Sequence, residues 1–163
     1  MARQGSDSVV TLSVLDRLID TEPKNSSEAP ITRAHSLRLL KDALRRDLEW
    51  LLNTRKIAIP PDEALKELNR SVYIFGLPDF TGFRMSSTAD QARFLRLLQN
   101  IVKLFEPRLA NVRIVPLEGS LLNTRTLRLR IEGMLRIDPA PEHVSFDTVL
   151  ELTSGSYEVT NAG

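Results

Sequence analysis

The spacing of apolar residues changes once along this chain, and that change constrains the fold more than any other feature. From residue 32 to about residue 53, leucines recur three or four positions apart, which predicts one long core helix. After the triplet Glu106, Pro107 and Arg108, apolar and polar residues alternate, which predicts β-strands. The order therefore predicts an α+β fold with three or four helices on one face of a small, mainly antiparallel sheet of about four strands.

Two further helices are predicted between the long helix and the sheet. Pro61 and Asp62 suit the first turn of one helix, and Thr88 with Gln91 has the spacing of a capping box before the next. The apolar stretch 71–80 contains Gly76, which favours a buried connection over a strand. A first strand is predicted at 112–117, and a carboxyl-terminal hairpin at 144–159.

Residues 1–31 form a separate amino-terminal arm, and residues 32–163 are predicted to form a single α+β domain. In the arm, Thr11 is placed to cap a short amphipathic helix. Its apolar face comprises Val14, Leu15, Leu18 and Ile19. Residues 21–30 contain two prolines and several small polar residues, which predicts a flexible linker. Such a helix either joins the core or docks on another protein, and both interpretations are open.

The composition argues against several classes of function. With 22 Lys and Arg against 21 Asp and Glu, the net charge of +1 predicts no general attraction for nucleic acid. Cysteine is absent, the two histidines are far apart, and no glycine-rich phosphate loop occurs, so neither a metal site nor a cofactor is predicted. The leading residues are too polar for a signal peptide or a spanning helix. We therefore expect a cytoplasmic protein without direct membrane insertion.

Three further groups of residues have ordinary structural interpretations. An arginine row along the sheet is predicted to be a solvated face rather than a nucleic-acid site, and it comprises Arg113, Arg125, Arg128, Arg130 and Arg136. Trp50 is predicted to fill the core. Carboxylates for glycoside hydrolysis could come from Asp47, Glu49 or Glu106, but spacing alone does not place any two across a cleft.

The triplet itself has two interpretations. Pro107 disfavours helical geometry at Glu106, so the preceding helix is predicted to end within about a residue of Phe105. A carboxylate at a helix carboxyl terminus needs a cation, and Arg108 is the nearest one. The pair is either local, or the rigid turn presents both charges outward for pairing with another protein.

Four segments together resemble a known family. "SVLDRLID" at 13–20, "LRRDLEWLLNTR" at 44–55, "SVYIFGLPDF" at 71–80 and "FEPRL" at 105–109 resemble TssE, the small baseplate subunit of the bacterial type VI secretion system. TssE shares a family with the wedge proteins of contractile phage tails. The resemblance covers about residues 13–159.

The resemblance implies a structural component rather than an enzyme, with no cofactor. The expected partners are TssF and TssG in the baseplate wedge, with TssK as a further candidate, and the sheath of TssB and TssC. The family motif maps onto Glu106, Pro107 and Arg108, and the resemblance places it at a contact with the helical bundle formed by neighbouring wedge subunits. The partner-binding site expected here comprises these three residues and Leu109. The implied role is to join wedge subunits to the first sheath ring and to help start sheath polymerisation, in a baseplate docked at the inner membrane.

The resemblance also implies how the sheath is contacted, namely by addition of a strand to a sheet edge, for which the hairpin at 144–159 is the expected edge. The alternative function is a lysozyme-like glycan hydrolase acting on peptidoglycan, because the family was long labelled in that way.

Overall fold

The computed structural model describes residues 9–19, 32–79, 87–117, 126–151 and 154–162. Its α-helices are α1 (Val14–Leu18), α2 (Arg33–Asn53) and α3 (Thr88–Phe105), and its strands are β1 (Leu109–Pro116), β2 (Thr126–Leu135), β3 (Glu142–Glu151) and β4 (Tyr157–Asn161). The strands form one antiparallel sheet in the order β1-β2-β3-β4. The predicted α+β architecture is confirmed.

The core lies between the two long helices and one face of the sheet. Leu44 and Leu48 of α2 and Phe94 of α3 are fully buried, as the helical spacing predicts. Along β2 every second residue is buried, which is the pattern of a strand covered on one face only. The buried members of β2 include Leu127, Leu129, Ile131 and Leu135. None of the helices in the described ranges combines the length and apolarity needed to cross a bilayer.

The helix boundaries agree with the predictions to within about two residues. Thr32 caps α2 by accepting a hydrogen bond from the His35 N–H, and α3 ends at Phe105 as predicted from Pro107. Two capping residues differ from the predictions. Ser13 rather than Thr11 caps α1, and Ser87 rather than Thr88 caps α3, each through a side-chain oxygen that accepts an N–H three residues on.

The prediction of a helix that starts at Pro61 and Asp62 is wrong. The Asp62 carboxylate accepts the Ala64 N–H, a local turn that competes with helix propagation. The segment then forms only two short 3₁₀ turns, Leu68–Arg70 and Val72–Ile74. It buries little apolar surface, and without tertiary packing so short a helix is not stable.

The stretch predicted as a buried connection is buried in part. Leu77 is fully buried, and its backbone bonds Thr54 and Lys56 just after α2, whereas Val72 is 86% exposed. Gly76 adopts a positive φ of 104°, and a Cβ there would lie 2.4 Å from the Thr54 carbonyl oxygen. Only glycine fits this close approach between the stretch and the end of α2. Phe80 lies outside the described residues.

The two edges of the sheet differ in how they are covered. The side chain of Asn53, at the end of α2, accepts a hydrogen bond from the Tyr157 N–H of β4 at 2.9 Å and donates one to the Tyr157 carbonyl at 2.8 Å. It therefore substitutes for a neighbouring strand at this position. Arg45 donates to the Val159 carbonyl at 3.3 Å. Side chains of α2 therefore cover both backbone groups of Tyr157 and the carbonyl of Val159. The carboxyl-terminal hairpin does form one edge of the sheet, as expected, and its use for strand addition stays a prediction.

The β1 edge is covered at one point. Gln99 of α3 donates to the Val112 carbonyl at 2.7 Å. The Leu117 N–H donates to the Arg128 carbonyl, so the Leu117 backbone faces β2. Backbone groups of successive residues in an antiparallel strand point alternately to either side, so the Ile114 backbone faces away from β2. Among the described residues, no hydrogen-bond partner meets the Ile114 N–H or carbonyl. Asn111, at a positive φ of 53°, lies in the bulge that offsets this half of β1 from its first residues.

Candidate functional site

The triplet forms the corner between α3 and β1. Glu106 is the carboxyl cap of α3, and its N–H donates to the Val102 carbonyl. Its own carbonyl accepts the Leu109 N–H at 3.1 Å, which closes a tight turn through Pro107. Leu109 then enters the core as the first residue of β1, while Pro107 stays exposed. The corner is therefore fixed on both sides by regular structure.

Glu106 and Arg108 pair with each other, as the local interpretation predicts. Arg108 Nε donates to Glu106 Oε1 at 2.6 Å, and Arg108 Nη2 binds both Glu106 Oε2 and Asp47 Oδ2, the latter at 2.7 Å. The hydrogen bonds that Arg108 donates to Glu106 raise the pKa of its guanidinium, against the opposing effect of burial. Glu106 is only 5% exposed, so the expectation that the turn presents its carboxylate outward is wrong.

The ion pair extends across the surface to the arm. Arg46 bonds Asp47 at 3.0 Å and Asp16 of α1 at 2.9 Å. Burial alone would raise the pKa of Asp16, but hydrogen bonds from Ser13 and Arg46 hold it below its usual value. We call Asp16, Arg46, Asp47, Glu106 and Arg108 the corner cluster. It contains three carboxylates and two guanidinium groups, and each guanidinium already binds two carboxylates.

An apolar groove of about 420 Å³ opens beside the corner cluster. We call it the corner groove, and its lining consists of Ser13, Asp47, Trp50, Leu51, Phe75, Phe105, Glu106, Pro107 and Arg108. Phe75 and Phe105 meet edge to face with ring centroids 5.2 Å apart. Trp50 is 59% exposed, and Arg46 lies 5.6 Å from its ring centroid in a cation–π contact. The prediction that Trp50 fills the core is therefore wrong.

The arm helix α1 lies next to the corner groove and buries none of its residues. The apolar side chains of its predicted face are all more than half exposed, namely Val14, Leu15, Leu18 and Ile19. Its ion pair with Arg46 and the burial of nearby Val10, whose N–H donates to Ser36 Oγ, hold it to the domain. The interpretation of α1 as an extra core helix is wrong. The predicted linker at 21–30 lies outside the described residues.

The other candidate residues form ordinary surface pairs. Arg130 bonds Asp147 at 2.6 Å, and Arg113 lies opposite Glu132 in the β1–β2 register, so the arginine row is interspersed with acids. This mixture fits the predicted solvated face. Glu49 pairs with Arg45 at 3.1 Å, while Asp47 and Glu106 share Arg108. The carboxylates considered for hydrolysis are thus members of ion pairs.

Sequence reasoning missed Asp47 as a partner of Arg108 and Asp16 as a partner of Arg46. Asp47 stands 61 positions from Arg108, and only the packing of α2 against the corner brings the two together. The sequence contained one indication that Arg46 and Asp47 belong to the site, because both precede Trp50 within the same helical segment. Their contribution to the site could be inferred only once Trp50 was known to be exposed.

One comparison with known proteins gives a match. A family model described as "Baseplate wedge protein gp25" matches residues 38–140. The matched region runs from α2 past β2 and therefore includes the corner from Glu106 to Leu109. A search of curated proteins found no match to the chain.

Proposed function

This chain belongs to the baseplate wedge protein gp25 family, and we propose that it is the structural wedge component of a contractile type VI secretion machine. In this proposal it joins wedge subunits to the first ring of the sheath and helps to start sheath polymerisation. It acts in the cytoplasm, in a baseplate docked at the inner membrane.

The observation that carries the wedge contact is the corner groove beside the triplet. An exposed tryptophan, a proline and two phenylalanines surround an open apolar hollow, and aromatic residues in such hollows are typical anchors of protein interfaces. The corner cluster holds the rim in a fixed arrangement, so little side-chain entropy is lost on binding. TssF and TssG are the proposed occupants, with TssK as a further candidate.

The sheath contact is proposed on the outward backbone of β1. Strand addition needs backbone groups that face outward without a partner, and side chains of α2 occupy both such groups of Tyr157 and the carbonyl of Val159 in β4. Ile114 offers an outward N–H and carbonyl next to the exposed Val115 and Pro116. A strand of the TssB and TssC sheath pairing there would fix the register of the first ring.

The wedge contact is tested by co-purification from cells that lack the sheath. We expect Trp50→Ala to remain folded, because the side chain is largely exposed, and to lose TssF and TssG. Ile59→Ala is the matched control, since it removes a similarly exposed apolar side chain away from the corner groove. Arg108→Ala should also lose the partners, with circular dichroism reporting whether it still folds. Full recovery of partners with folded Trp50→Ala and Arg108→Ala would refute the wedge contact.

We also propose that the chain is not an enzyme. The carboxylates that a glycan hydrolase would use are bonded to Arg108 and Arg45, which occupies the oxygen atoms needed for proton transfer or nucleophilic attack. Incubation of the purified chain with peptidoglycan should release no soluble fragments. Release that is abolished by Glu106→Gln would instead support the lysozyme-like alternative.

A further inference from the structure

We propose that the helix bound at the corner groove, which the family resemblance places in a bundle of neighbouring wedge subunits, supplies a large apolar side chain together with a lysine or arginine. This inference rests on the proposed function, which puts a wedge protein at the groove, and adds the charge of the partner. It differs from the expectation from the sequence, in which both Glu106 and Arg108 would pair with another protein.

The hydrogen bonds of Arg108 argue against an acidic partner. Its Nε and Nη2 atoms already donate to Glu106 and Asp47. Arg46 is likewise occupied by Asp16 and Asp47. A carboxylate arriving at the groove would find only Nη1 of each guanidinium without a described acceptor. It would also approach three carboxylates against two guanidinium groups.

The two long helices add to the negative character of the site. Trp50 and Leu51 lie in the last turn of α2, and Phe105 is the last residue of α3, so the carboxyl-terminal turns of both helices line the groove. A helix carboxyl terminus carries partial negative charge and favours cations. The last turn of α2 contains no basic residue, and Lys103 of α3 is exposed and does not line the groove.

The shape of the groove supports the apolar part of the proposal. Trp50, Phe75, Phe105 and Pro107 surround a hollow that would accept a leucine, methionine or phenylalanine. Asp47 lies at the rim with its side chain 29% exposed, within reach of a cation on the same helix. A helix presents side chains three or four positions apart on one face, so an anchor and a flanking base can engage together.

The single tryptophan of the chain makes the proposal directly measurable. The full chain is titrated with two synthetic amphipathic helices that share a leucine face, one flanked by lysines and the other by glutamates. We expect the lysine helix to shift Trp50 emission to shorter wavelength, because the indole leaves water. The glutamate helix should bind at least about threefold to fivefold more weakly, the size expected for a surface ion pair.

Two variants separate the groove from general charge attraction. Asp47→Asn should remove the preference for the lysine helix. Asp147→Asn, which removes a carboxylate of similar exposure (31%) from another arginine pair, should leave the preference unchanged. Equal binding of the two helices, preference for the glutamate helix, or no emission change with either would overturn the inference. If, in that case, TssF and TssG co-purify with the native chain and are lost from Trp50→Ala, the proposed function stands and only the inferred charge of the partner is wrong.

Discussion

At the scale of single residues, Arg108 connects two parts of the chain that are distant in sequence. It binds Glu106 within the turn and Asp47 on α2, so it fixes the α3–β1 corner to the long helix. Glu106 is nearly fully buried, and a buried carboxylate is tolerated when an arginine with good geometry neutralises it. The triplet is therefore a structural feature as well as a proposed partner-binding site.

Replacement of Glu106 by glutamine tests the structural part of this role. It leaves the partly buried Arg108 without its main counter-charge, so we expect the free energy of unfolding to fall by roughly 1–3 kcal/mol in urea denaturation. Glu158→Gln, on the exposed face of β4, should change it by less than about 0.5 kcal/mol. Equal losses for the two variants would show that the Glu106–Arg108 pair contributes no specific stability.

Asp16 allows the link between the arm and the corner cluster to be tested by titration. Its lowered pKa predicts a carboxyl carbon whose NMR shift titrates with a midpoint below 3.8. The pair with Arg46 should be complete above that pH and lost as the pH falls through the lowered midpoint. Arg46→Gln should raise the midpoint, whereas Arg45→Gln, whose guanidinium binds Glu49, should not. An unshifted midpoint in Arg46→Gln would mean that α1 is held in another way.

At the scale of elements, periodic patterns predicted the parts of the fold that pack against the core. The leucine spacing of α2 and the alternation in β2 were sufficient, because burial of one face dictates both patterns. The helix predicted after Pro61 failed, since it had capping residues but no apolar face to bury. Capping residues alone are thus a weak predictor of a helix unless the segment also has an apolar face to bury.

The closure of the β4 edge could not be predicted from the sequence. The sequence indicates only that Asn53 ends a helix, yet its side-chain amide forms hydrogen bonds with the backbone of Tyr157, 104 positions later. Only the three-dimensional packing of α2 against β4 creates this contact. The same is true of Trp50, whose helical position fits a core residue as well as an exposed one.

Asn53→Ala should open the β4 edge. Both Tyr157 backbone groups lose their partner, so we expect faster hydrogen exchange at the Tyr157 amide and a loss of about 1 kcal/mol in stability. Asn69→Ala, which removes hydrogen bonds to the 62–65 turn, should leave the exchange rate of Tyr157 unchanged. Unaltered protection of Tyr157 in Asn53→Ala would contradict the account of a sealed edge.

At the scale of the whole molecule, the domain offers two different surfaces, one at the corner groove and one on β1. The corner groove, with its exposed Trp50, is the proposed wedge contact, and the outward backbone of β1 at Ile114 is the proposed sheath contact. Because the triplet is continuous with β1, a wedge protein bound at the groove would hold the sheath-facing strand in a defined orientation. That arrangement suits a protein of the gp25 baseplate wedge family.

The most direct test places a photo-activated cross-linking amino acid at position 50 of the full chain inside cells that assemble the secretion machine. Illumination should produce covalent adducts with TssF or TssG from position 50. The same amino acid at Glu158, an exposed site on β4 away from the corner, should give none with these proteins. Wedge adducts that arise at position 158 and not at position 50 would contradict the assignment of the corner groove as the surface that joins this protein to the baseplate.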